Sequence, residues 1–134
     1  MANTTFTGPV RSENGFEDVT KNATTGAFTT NATYNATITG GVQSLSGAGA
    51  VDLTNLVTEL TTTGANALTL ADGSTSGQVK IVNMIVDGGD GTLTPTTFAN
   101  GTTITFDAVG ESATLVWNST VGWVATSTVG ATIA

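Results

Sequence analysis

The chain has 134 residues, enough for one domain and too few for two ordinary ones. Ten acids against Arg11, Lys21 and Lys80 give a formal charge of −7, and three dispersed cations cannot neutralise a row of phosphates or an anionic membrane surface, so nucleic acid and membrane are excluded as partners. Cys and His are both absent, which removes a disulfide framework, a thiolate site, the usual zinc ligands and the commonest general base together. Only 39% of the chain is apolar and only 10% is charged, where soluble domains usually carry about 25% charged residues. Thr dominates, and its branched Cβ suits pleated, half-buried surfaces. The composition therefore points to an all-β fold with uncharged outer faces, suited to packing against further subunits.

Residues 1–20 scatter Phe6, Pro9, Val10, Phe16 and Val19 among turn formers such as Asn14 and Gly15. Such isolated apolar residues anchor a chain to a neighbouring surface without building a core, so this stretch reads as an extended N-terminal arm. Residues 21–49 read as a Thr-, Asn- and Gly-rich connecting segment. Weak alternation around Phe28 and Tyr34 suggests one hairpin, and residues 40–49 (GGVQSLSGAG) read as a flexible joint. The N-x-Thr triplets here match glycosylation sequons, but the first residues, MANTTF, have neither the positive head nor the apolar run of a secretory signal. Cytosolic synthesis is the expectation.

Residues 50–134 read as the β module. Val51, Leu53, Leu56, Val57 and Leu60 fit a helical spacing, but Thr54, Thr58 and Thr61 are poor helix formers, and two short strands are the better reading. A strand at 67–71 ends in Asp72 and Gly73. Residues 78–87 (QVKIVNMIVD) then form the one long run that is apolar on both faces, with Val79, Ile81, Asn83 and Ile85 on one side and Lys80, Val82, Met84 and Val86 on the other. The second of these faces is the expected oligomer interface. Short strands follow at 92–95 and 102–107. The inward series Ala113, Leu115 and Trp117 returns through a hairpin loop at 118–122 to Trp123 and Ala125. Turn signals every 8 to 12 residues are the cadence of a small antiparallel β-sandwich or barrel, jelly-roll-like in outline.

No constellation announces a chemistry. Asp87 and Asp90 flank a Gly-Gly turn and Asp107 and Glu111 flank another, but acids in Gly-rich turns usually cap the turn, and nothing in their spacing favours a two-carboxylate glycosidase. The segment 87–91 (DGGDG) lacks the spaced acids and closing Glu of a calcium loop. No catalytic residue, metal or cofactor is expected. Lys80 within an apolar run reads as a snorkelling side chain, an ion pair with an acid such as Asp72, or an inter-subunit salt bridge. Trp117 and Trp123 read as core before they read as a sugar-stacking platform.

The pattern of 67–73 (ALTLADG), 77–82 (GQVKIV), 87–95 (DGGDGTLTP), 100–106 (NGTTITF), 113–117 (ATLVW) and 122–124 (GWV) resembles a module of virion structural proteins of tailed bacteriophages, particularly marine ones. Those are head decoration (cement) or head-fibre proteins. Residues 5–12 (TFTGPVRS) are similar to the short arm that begins many of them. The resemblance implies a homotrimeric β module on the capsid exterior, made in the host cytoplasm, bound to the major capsid protein and stabilising the shell, with no catalytic residues. Phe6, Pro9, Val10, Arg11 and Phe16 would then dock on the capsid. The competing expectation is a receptor- or glycan-binding β module at a head-fibre or tail tip, contacting its target through the loops at 72–77, 87–92 and 118–122.

Overall fold

The computed structural model describes residues 16–34 and 41–134. It divides into two units, each treated by itself. The first holds an antiparallel hairpin of β1 (Phe16–Lys21) and β2 (Phe28–Tyr34), with a bulge between Asp18 and Val19. Its turn is closed by the Asn22 side chain, which accepts hydrogen bonds from the backbone N–H of Thr24 and Thr25, both at 2.9 Å.

The second unit is a sandwich of two five-stranded sheets, not closed into a barrel. It contains β3 (Val42–Ser46), β4 (Gly49–Val51), β5 (Val57–Thr61), β6 (Asn66–Leu70), β7 (Val79–Val86), β8 (Gly91–Pro95), β9 (Ile104–Phe106), β10 (Ser112–Asn118), β11 (Gly122–Val129) and β12 (Thr132–Ile133). The sheets run β11-β10-β7-β5-β3 and β12-β9-β8-β6-β4. All-β character and a sandwich are as the sequence implies.

The strand directions are not purely antiparallel. From β3 to β8 the chain alternates between the sheets, laying each new strand parallel to the previous one in its own sheet. Residues 42–95 thus wind as three rungs of two strands. The remaining strands, β9 to β12, close both sheets in antiparallel fashion. The stretch expected as a flexible joint, residues 40–49, holds β3 and the start of β4 among its described residues 41–49. Gln43 fastens it from within: its Oε1 accepts from the Asp52 N–H at 2.9 Å and the Thr58 hydroxyl at 2.8 Å, and its Nε2 donates to the Ala50 carbonyl at 2.9 Å.

Inward alternation builds one core from both sheets. Leu60, Val82, Met84, Ala113 and Leu115 come from the first sheet and Leu68, Leu70, Leu93, Ile104 and Phe106 from the second, all buried. The corners joining the sheets stack on one another. At residues 87–90 Gly88 and Gly89 pass so close to the corner at 62–65 that a Cβ on Gly88 would lie 2.5 Å from the Thr62 carbonyl oxygen and one on Gly89 2.7 Å from the Gly64 backbone. Glycine is required there by close approach of backbone to backbone.

Candidate functional site

β7 is the centre of the first sheet, flanked by β5 on one side and β10 on the other. Its inner face carries Lys80, Val82 and Met84, which are 1%, 0% and 1% exposed. These three were expected at an oligomer interface, and the fold overturns that: their own chain buries them, so a second copy has nothing to touch. Val86 differs, because the ladder between β5 and β7 is irregular after Leu60, and both Ile85 and Val86 are exposed at the strand end.

Lys80 reaches from the core to the corner at residues 52–56. Its Nζ donates to the Asn55 carbonyl at 2.8 Å and lies 3.6 Å from Asp52 Oδ1. The pairing acid is Asp52, where the sequence suggested Asp72. Asp52 also organises its own turn, accepting from the N–H of Asn55 at 2.8 Å, the Asn55 side-chain amide at 2.7 Å and the N–H of Thr54 at 3.1 Å. Burial pushes the Asp52 carboxyl up; the Asn55 hydrogen bonds, the Lys80 charge and the Thr54 N–H together outweigh it and hold the group below the usual carboxylate range. Burial pulls the Lys80 amine below its usual value, against the opposing pull of Asp52. The hydrogen bonds of this cluster all hold the corner at 52–56, which makes it structural.

The two Trp residues face each other across the β10–β11 ladder, ring centroids 5.5 Å apart and nearly edge to face. Trp123 is fully buried and donates its Nε1–H to the Ala71 carbonyl at 2.9 Å; Trp117 is 8% exposed. They are core. Gly73 lies against Trp117 so closely that a Cβ there would meet the indole at 2.4 Å, which accounts for the Asp72-Gly73 turn.

The loops proposed to contact a host do not form one surface. Residues 72–77 and 118–122 are neighbours, joined by the Ser119 N–H to Ser76 Oγ bond at 3.0 Å and the Gly77 N–H to Trp117 carbonyl bond at 2.9 Å. The turn at 87–90 sits at the other end of β7, about 25 Å of strand away. Asp87 there accepts from the Gly89 N–H at 2.8 Å, the capping role expected of it. Among the described residues no three His, Cys, Asp or Glu side chains gather as a metal site would require.

Of the arm residues, Phe6, Pro9, Val10 and Arg11 lie outside the described residues, and Phe16 opens β1 opposite Tyr34. What the fold does present is two outer sheet faces almost free of charge. Among residues 41–134 the acids Asp52, Asp72, Asp87, Asp90, Asp107 and Glu111 all sit in loops, and Glu59 alone stands on a strand. Comparison of the chain with protein-family models and with curated proteins returns no match.

Proposed function

We propose that the chain is a structural virion protein, a decoration or cement protein that binds the outside of a tailed-phage capsid as a homotrimer and stabilises the shell. The observation that carries the reading is the residue pattern of 67–124 and its resemblance to modules of such proteins. The charge-poor sheet faces agree with it, since surfaces of this kind suit permanent contact with other subunits. In this reading Phe6, Pro9, Val10 and Phe16 dock on the major capsid protein and Arg11 pairs with a capsid acid. Three weak arms on one oligomer bind far more tightly than one, and bridging neighbouring capsomers makes their separation costlier.

The test is cosedimentation of the full-length chain with empty shells of a tailed phage. Wild type is expected to pellet with shells, and Phe6→Asp with Arg11→Glu to stay in the supernatant while keeping its oligomeric mass. Failure of wild type to bind shells, with binding to host cells or glycans instead, overturns the proposal in favour of a receptor-binding tip.

A further inference from the structure

β7 is apolar on both sides, yet the other strands of the sandwich cover only one. On the outer side Val79 is 38% exposed, and Ile81 is half-buried. Two cross-strand rows leave β7 in opposite directions from these residues. Ile81 lies opposite Val57, and Val57 opposite Val42, which is 51% exposed. Val79 lies opposite Val116, and Val116 opposite Val124. Six β-branched side chains therefore form one stripe across all five strands, about 19 Å wide at the usual strand spacing. The outer face of the other sheet bears nothing comparable: its corresponding positions are Ala50, Ala67, Thr69, Thr92, Thr94 and Thr105.

We propose that this stripe is the face that copies of this chain turn to one another across the symmetry axis of the oligomer. Two observations select a second copy as the occupant. First, β3, β5 and β7 are mutually parallel, and parallel strands are stable chiefly where both faces are covered. Second, the chain carries −7 overall with six of its seven module acids in the loops, so two copies repel in any approach that brings loops together, and the stripe itself contains no charge. A basic partner would be drawn to those loops instead. A contact between two stripes also takes in Thr114, which lies opposite Ile81 in the stripe's own row. Glu59 stands with Ser44 and Asn83 in the next row and marks the rim of the contact.

The inference shares with the proposed function only the expectation of self-association, and it is tested without capsids. Light scattering and sedimentation equilibrium of the full-length chain read the mass and the number of copies directly. Wild type is expected to be an oligomer at micromolar concentration. Val42→Glu with Val79→Glu places charges at two exposed positions of the stripe and is expected to weaken association at least about 100-fold. Ala50→Glu with Thr94→Glu, on the opposite sheet, is expected to leave the mass unchanged. Val42→Thr with Val79→Thr keeps shape and strand propensity and is expected to weaken association about tenfold, so a folding defect in the charged variant cannot decide the matter. A monomeric wild type, an unchanged mass in both stripe variants, or dissociation by the opposite-sheet variant alone overturns the inference. An oligomer that requires the stripe but ignores shells leaves this inference standing and removes the proposed function. A wild-type monomer that binds shells overturns this inference together with the homotrimer, and leaves only the shell binding of the proposed function.

Discussion

At the scale of single residues, Lys80 is a costly group to bury, an amine 1% exposed whose acidic partner, Asp52, is about one-third exposed. Removing the amine and leaving a hole should destabilise by about 3–5 kcal/mol, whereas a Met of similar volume should be close to neutral, because it abolishes the desolvation cost along with the ion pair. Urea unfolding of Lys80→Ala and Lys80→Met separates the two outcomes. The pair also makes a pH prediction. The folded pKa of Asp52 lies below its unfolded value of 3.8, so the stabilisation it brings is complete above 3.8 and lost as pH falls through the lower folded value. For Lys80 the folded pKa lies below 10.5, so the unfolded chain holds this proton more tightly and stability rises with pH from the folded value towards 10.5. The urea midpoint of wild type should therefore fall more steeply below pH 3.8 than that of Asp52→Asn. Trp123→Phe strands the Ala71 carbonyl and should cost about 1–3 kcal/mol.

Elements differ in how far the sequence reveals them. β7, β10 and β11 are legible because uninterrupted or alternating apolar residues reach a common core, and both Trp residues follow from that alternation. The rungs are not legible. Val42 pairs with Val57 and Val57 with Ile81, offsets of 15 and 24 residues, so no repeat length stands out. A strand that crosses to the other sheet carries the same turn residues as one that doubles back, and this hid the parallel ladders. β3 was hidden because Gly, Ser and Gln dilute its pattern; its stability comes from the Gln43 side chain and the neighbouring rung, which only the fold supplies. The two faces of β7 are equally apolar in sequence, so which one enters the core could not be read there. The corner stack is testable at this scale. Gly88→Ala forces a methyl against the Thr62 carbonyl and should cost about 1–3 kcal/mol in thermal or urea unfolding, without altering the mass of the oligomer.

At the scale of the whole molecule, residues 41–134 keep every acid but Glu59 at the loops and leave two broad faces almost uncharged, one crossed by a stripe of Val and Ile and one lined with Thr and Ala. Faces so poor in charge suit contact with other surfaces over a wide area. The account assigns the Val and Ile face to copies of the chain and the first residues to the shell. The most direct test is to measure how many copies of this chain purified virions contain, by quantitative mass spectrometry against the major capsid protein. The account predicts an abundance that scales with the major capsid protein and persists in particles stripped of tails. A few copies per particle, lost with the tail, or none at all, would contradict it.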